Sequence, residues 1–118
     1  MPTVERIIQN EIRLALAPDA VLFRGNIGTA WTGDLVTKLP NGDMLIKNAR
    51  PFNSGLPAGF SDLFGLTGAG TFVAIEVKSP QGRLTDKQAH FLDFIAGRGG
   101  ISGVARSVDE ARRLLAGK

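Results

Sequence analysis

Length, composition and charge already exclude several classes of protein. The 118 residues suit one compact domain, residues 1–118, and a chain with 43% apolar and 21% charged residues is unlike a disordered one. The absence of cysteine and the single histidine, His90, exclude disulfide scaffolds and thiolate or histidine-cluster metal sites, so a bound metal would need oxygen ligands. Residues 77–118 hold eight Lys/Arg against four Asp/Glu, which suits contact with a polyanion, although ordinary solvated charges explain the excess more simply.

The first predicted element is a helix over residues 4–16, VERIIQNEIRLAL. Thr3 can cap its start, Pro18 follows its end, and its apolar positions repeat at helical spacing. Strands are then predicted over 20–25, from about 30 to 38 and over 43–50, with Asn41-Gly42 as a two-residue hairpin turn between the last two. Residues 51–61 hold two prolines and two glycines, which predicts a loop.

The second half of the chain alternates strands and helices. A short strand is predicted over 62–66, and the apolar run TFVAIEVK over 71–78 predicts a central strand buried on both faces. Thr85 and Gln88 have capping-box spacing at the start of a helix that stops near residues 97–100. A strand over 101–107 and a last helix follow, with the same spacing at Ser107 and Glu110. The order helix, strands, helix, strand, helix predicts an α/β fold with a mixed sheet flanked by helices.

The sequence predicts no membrane segment. No apolar run approaches the roughly 20 residues that cross a bilayer. The first fifteen residues carry Glu5, Arg6, Glu11 and Arg13 among the apolar positions, unlike a secretory signal. We therefore expect a cytoplasmic protein.

Three charged residues on neighbouring strands are the strongest candidates for chemistry. Glu76 and Lys78 are two apart on one strand, so their side chains leave the same face. Asp62 opens the preceding strand, and an antiparallel pairing would bring it close to Glu76. Two converging carboxylates could hold a divalent cation, with Lys78 facing whatever the cation binds. That arrangement suits phosphodiester hydrolysis, whereas the simpler explanation is a surface ion pair between Glu76 and Lys78.

Four short motifs, in order and at compatible spacing, carry a resemblance to a known family. They are ERIIQNEIRLAL in the first helix, GLPAGFSDL over 55–63, IEVK over 75–78 and GRLTDKQAHFLDFI over 82–95. Together they resemble the VRR-NUC domain of the PD-(D/E)XK nuclease superfamily, which occurs alone in phages and bacteria and fused to larger repair enzymes. The resemblance implies a restriction-endonuclease-like core. Ser61 precedes Asp62 in place of the proline of the superfamily motif, a change that the VRR-NUC branch tolerates.

The resemblance also implies roles for individual residues. Asp62 matches the motif aspartate, and Glu76 and Lys78 match the E-x-K pair. In such families the backbone carbonyl between the pair, here that of Val77, is usually a ligand of Mg²⁺ or Mn²⁺ together with the carboxylates. Gln88 matches the glutamine of the following helix, although a capping box alone would also place a glutamine there.

Glu5 matches the glutamate of the first helix. A favourable charge in the first turn of a helix explains Glu5 equally well on position alone. Glu11 is a second acidic residue on the same helix, and the two are six residues apart and cannot share a face. We expect Glu5 to reach the site because of the match.

The candidate residues predict a metal-dependent nuclease, and the resemblance implies an endonuclease that cuts branched DNA in DNA repair, with four-way (Holliday) junctions as the expected substrate. By resemblance, stand-alone members act as homodimers. The contact between the two subunits could include Trp31 and the Asn41-Gly42 hairpin. Arg83, Lys87 and Arg98 are candidates for contacts with backbone phosphates. The alternatives are a flap- or end-directed nuclease and a catalytically silent DNA-binding module with the same fold.

Overall fold

The computed structural model describes residues 3–25 and 29–117. These residues divide by their contacts into two compact units, one formed by Met1–Gly25 with Pro57–Lys118 and the other by Asn26–Leu56, and each is described by itself. The elements, in chain order, are α1 (Val4–Leu16), β1 (Ala20–Arg24), β2 (Thr29–Lys38), β3 (Met44–Asn53), β4 (Leu63–Thr67), β5 (Phe72–Val77), α2 (Asp86–Gly97), β6 (Ile101–Ala105) and α3 (Val108–Ala116).

The first unit is built on a four-stranded mixed sheet with the order β1-β4-β5-β6. β4 pairs antiparallel with both β1 and β5, and Leu63 lies opposite Ile75 in the second pairing. β5 and β6 are parallel because α2 carries the chain back to the end of the sheet at which β5 begins. β5 is thus an interior strand, and residues 73–77 are all buried, as its unbroken apolar run predicts.

Helices flank both faces of this sheet. On one face the inward side chains of the strands form a continuous core with α1 and α3, to which Ile12, Leu16 and Ala111 contribute as fully buried residues. On the other face α2 lies over β5 and β6, where the Ser102 hydroxyl donates to the Leu92 carbonyl at 2.6 Å. The predicted mixed sheet flanked by helices is confirmed.

The helix starts follow from their capping residues. The Thr3 hydroxyl accepts from the Arg6 N–H in α1, and Thr85 and Gln88 form a complete capping box in α2. The capping box predicted for α3 is only half correct. Ser107 accepts from the Glu110 N–H, but the Glu110 carboxylate accepts from the backbone N–H of Arg106 rather than from that of Ser107.

The second unit is the antiparallel hairpin of β2 and β3. The predicted strands and the hairpin are confirmed, but the two-residue turn is wrong: residues 39–43 connect the strands, and Gly42 donates its N–H to the Leu39 carbonyl at a φ of +95°. β3 also continues through Asn53, although its last residues were expected to form a loop. Pro51 fits there, opposite Trp31, because each strand of a two-stranded sheet has a free edge on which a missing N–H costs nothing.

None of the helices in residues 3–25 and 29–117 is long and apolar enough to cross a membrane. That finding agrees with the absence of a long apolar run in the sequence.

Candidate active site

Asp62 and Glu76 meet where β4 begins and β5 ends. The pairing of Leu63 with Ile75 puts the residue before β4 opposite the residue after Ile75, as the sequence suggested. The Asp62 Oδ2 atom accepts a hydrogen bond of 2.9 Å from the backbone N–H of Val77. This bond ties Asp62 to the end of β5 and holds its carboxylate next to that of Glu76.

Glu76 is the most unusual ionisable group of the site. Its side chain is only 2% exposed, and its Oε2 atom has no hydrogen-bond partner among the residues that the structure describes. Burial, and then the neighbouring Asp62 carboxyl, raise the pKa of Glu76 from 4.5 to about 8, against the opposing effect of Lys78. A buried carboxyl with an unpartnered oxygen, beside a second carboxyl, is an arrangement that a cation would stabilise.

Lys78 lies beside Glu76 on the same face of β5. Its Nζ atom is 3.9 Å from Glu76 Oε1, and its side chain is 12% exposed. The pair is therefore largely shielded from water rather than a solvated surface ion pair. The ammonium lies where it could act on an anion bound to a cation that the two carboxylates hold.

Gln88 has both of the roles that its position suggested: it completes a capping box and it contacts the site. Its Oε1 atom accepts from the Thr85 backbone N–H at 2.9 Å, which completes the capping box of α2. Its Nε2 atom donates to Glu76 Oε1 at 3.0 Å. The start of α2 is thus joined directly to the buried glutamate, and the amide holds one carboxylate oxygen while the other has no partner.

Glu5, rather than Glu11, reaches the end of β5. The Glu5 Oε2 atom accepts from the backbone N–H of Ser79 at 3.3 Å, whereas Glu11 is exposed. Within residues 3–25 and 29–117, no group of three or more Asp, Glu or His side chains that could hold a metal ion is found. The contact of Glu5 with Ser79 anchors the segment that follows Lys78.

The donor set fits a hard divalent cation. Mg²⁺ is usually bound through one or two carboxylates, with waters and substrate phosphates completing its shell. Asp62 and Glu76 supply two carboxylates, and Glu76 Oε2 is a buried oxygen that lacks a hydrogen bond among the described residues. The Asp62 charge opposes ionisation of Glu76, and a bound Mg²⁺ or Mn²⁺ would offset that effect.

The three candidate phosphate-binding residues are exposed but do not lie together. Arg83 is in the connection before α2, and Lys87 is in the first turn of that helix. Arg98 caps the other end of the helix, and its guanidinium lies 3.6 Å from the centroid of the Phe94 ring. A helix of 12 residues separates the two ends by roughly 18 Å, so Arg98 is remote from the carboxylates.

Arg106 and Ser61 also support the site, although no pattern in the sequence indicates this. Arg106 donates from Nη2 to the Gly82 carbonyl at 2.7 Å, which fixes the connection between β5 and α2. Ser61 is fully buried, and its hydroxyl donates to the Leu63 carbonyl at 2.8 Å next to Asp62. The sequence contains only a charge at a strand end and a serine before the aspartate, and neither pattern indicates such contacts.

Comparison with known protein families identifies a match. The model of the family described as VRR-NUC domain matches residues 32–109, about two thirds of the chain. The match includes Asp62, Glu76, Lys78 and Gln88, whereas Glu5 lies before it. Among curated proteins, none matches the chain.

Proposed function

Because the chain belongs to the VRR-NUC domain family, which points to a nuclease acting on DNA, we propose that it is a metal-dependent endonuclease specific for branched DNA. The observation that supports this most strongly is the buried pair of Asp62 and Glu76 with Lys78 beside it. The reaction is hydrolysis of a phosphodiester bond. The enzyme would act in the cytoplasm of a bacterium or a phage-infected cell, in DNA repair.

In this proposal Asp62, Glu76 and the backbone carbonyl of Val77 hold Mg²⁺ or Mn²⁺. The N–H of Val77 points to Asp62, and the carbonyl of a residue in an extended strand leaves by the same edge as its N–H. When bound, the cation would neutralise phosphate charge and make an attacking water more acidic.

The side chains around the carboxylates have separate tasks. Lys78 stabilises the negative charge that develops on the phosphate oxygens, and its low exposure strengthens that effect. Gln88 holds the Glu76 carboxylate in one orientation through its 3.0 Å hydrogen bond. Glu5 and Arg106 keep the segment after Lys78 in place through their backbone contacts.

We infer that the substrate is a four-way junction and that the enzyme is a homodimer. Two cuts on symmetry-related strands need two sites in a fixed relation, and this chain contributes one. The hairpin of β2 and β3 supports the inference because seven of its large apolar side chains are exposed in the single chain. They are Trp31, Leu35, Val36, Leu39, Met44, Leu45 and Phe52.

A panel of DNA structures tests the proposal. Four-way junctions, flaps, duplexes and single strands are each incubated with the protein and Mg²⁺ or Mn²⁺. We expect paired incisions in the four-way junction and little cleavage of duplex. Cleavage of flaps alone would make the chain a flap nuclease, and binding without cleavage of any DNA would make it a silent module.

A further inference from the structure

A groove along one side of α2 has no role in the hydrolysis described above. Its volume is about 550 Å³, within the roughly 300–1,000 Å³ of sites for small organic groups. It lies between the segment after Pro57 and the first three turns of the helix. The residues that line it are Pro57, Ala58, Asp86, Lys87, His90, Phe91 and Phe94.

We propose that this groove binds an unpaired nucleobase of the DNA substrate by stacking it on Phe94. The inference rests on the proposed function in that the ligand is DNA, and it deepens that function by naming the feature of branched DNA that the protein recognises. Duplex DNA offers no free base, whereas bases at a branch point are the easiest to unstack.

The aromatic side chains of the groove are placed for stacking. Phe94 is 45% exposed, although a phenylalanine gains most from burial. Arg98 lies 3.6 Å from the centroid of its ring and holds the ring in position. Phe91, deeper in the groove, packs on Phe60 with 4.7 Å between the ring centroids. Because Arg98 covers one face of the exposed Phe94 ring, a base would stack on the other face of that ring.

The charges around the groove suit a nucleotide rather than an apolar segment of a protein. Lys87 lines the groove and is exposed, and the Arg98 guanidinium adjoins its aromatic end. They lie at opposite ends of α2, so each can meet a different phosphate of the strand that carries the stacked base. Asp86 adds a carboxylate, the kind of group that accepts from the exocyclic amine of a base.

The groove and the carboxylate site are built from the same two segments of the chain. Lys87 lines the groove, and the next residue, Gln88, donates to Glu76. Phe60 packs on Phe91, and Asp62 follows it by two residues. A DNA strand that enters the carboxylate site could therefore place a nearby base in the groove.

The test measures binding without cleavage, in EDTA, with the full chain. The probe is a branched DNA that carries one unpaired 2-aminopurine at the branch, whose fluorescence falls when the base stacks. We expect quenching by the unmodified protein and a loss of affinity of about tenfold or more for Phe94→Leu, the scale of one lost base stack. Phe23→Leu is the matched control, because Phe23 is 51% exposed on β1 and does not line the groove.

Three results would overturn the inference. They are an absence of quenching, affinity of Phe94→Leu equal to that of the unmodified protein, or an equal loss in Phe23→Leu. Thermal unfolding of both variants checks that they are folded, as expected for exposed positions. A parallel incubation with Mg²⁺ separates the two proposals. Cleavage without quenching would support the nuclease function and contradict base binding in the groove. Quenching without cleavage would support base binding and contradict the nuclease function.

Discussion

Glu76 is a side chain whose ionisation is costly in the folded protein. It is 2% exposed, and it has one oxygen without a hydrogen-bond partner in the described part of the chain. The Asp62 carboxyl beside it raises the cost of ionising Glu76. Replacing either carboxylate by an amide should therefore stabilise the metal-free protein, and it should also remove a charge that binds the cation.

The first prediction concerns stability and pH in EDTA. The pKa of Glu76 is raised from 4.5 to about 8, so the folded protein holds one more proton than the unfolded chain between those values. The contribution of this group to the free energy of unfolding is thus fully present below pH 4.5 and is lost as pH rises to about 8. Urea unfolding should show Glu76→Gln gaining stability relative to the unmodified protein across that range.

The control for this titration is Glu11→Gln, since Glu11 is exposed on α1. Its stability should follow that of the unmodified protein at every pH. If Glu76→Gln also runs parallel to the unmodified protein, the raised pKa of Glu76 is wrong.

The second prediction separates catalysis from binding at Lys78. Lys78→Met keeps most of the aliphatic stem but removes the cation 3.9 Å from Glu76. Cleavage should fall by about a hundredfold or more, the scale of one electrostatic group in a preorganised site. Affinity for DNA should change little, because it depends on many dispersed cations. The control is Lys47→Met, at an exposed lysine in β3; a loss of binding as large as the loss of cleavage would make Lys78 a docking residue.

At the scale of elements, the site depends on how the segment before β4 packs on α2. Gly59 has a φ of +86°, and a Cβ atom there would lie 2.4 Å from the Lys87 carbonyl oxygen. The glycine therefore permits the close approach of the segment before β4 to the first turn of α2. A larger residue would have to move one of the two segments.

The third prediction follows from that approach. Gly59→Ala should lower the free energy of unfolding by more than Gly70→Ala and should also reduce cleavage. Gly70 is the matched control because its φ is +84° but its Cβ would meet nothing within 4 Å, so only the strain of about 1–2 kcal/mol applies. Urea unfolding compares the two, and equal losses would show that the contact with Lys87 is unimportant.

Elements with local signals could be predicted from the sequence. Residues 4–16 form α1 as expected, because a capping threonine and a following proline mark both ends. The apolar residues 72–75 of β5 predicted its interior position, and the reversal before it predicted that Asp62 would approach Glu76. These inferences need only neighbours along the chain.

Features that depend on distant contacts could not be predicted in this way. The choice between Glu5 and Glu11 depends on which face of α1 meets the end of β5, which the helix sequence does not contain. The extension of β3 through residues 51–53 depends on pairing with β2, which outweighs the local effect of Pro51. The double role of Gln88 needed the position of α2 over the sheet.

At the scale of the whole molecule, the fourth prediction is a dimer. Light scattering at micromolar concentration should give about twice the monomer mass of 12.5 kDa. Trp31→Ser and Phe52→Ser should shift the protein towards monomer, because both side chains are more than half exposed in the single chain. Leu14→Ser, at an 80% exposed position on α1, is the control. A monomer that makes paired incisions efficiently would contradict the prediction.

The central claim is that Asp62 and Glu76 hold a divalent cation for phosphodiester hydrolysis, and a chelation experiment tests it most directly. Cleavage of a four-way junction is measured in excess EDTA and again after Mg²⁺ or Mn²⁺ is restored, for the unmodified protein, Asp62→Asn and Glu76→Gln. We predict no cleavage in EDTA, recovery with either cation in the unmodified protein, and none in the two folded variants. Undiminished cleavage in excess EDTA, or recovery in Glu76→Gln equal to that of the unmodified protein, would contradict it.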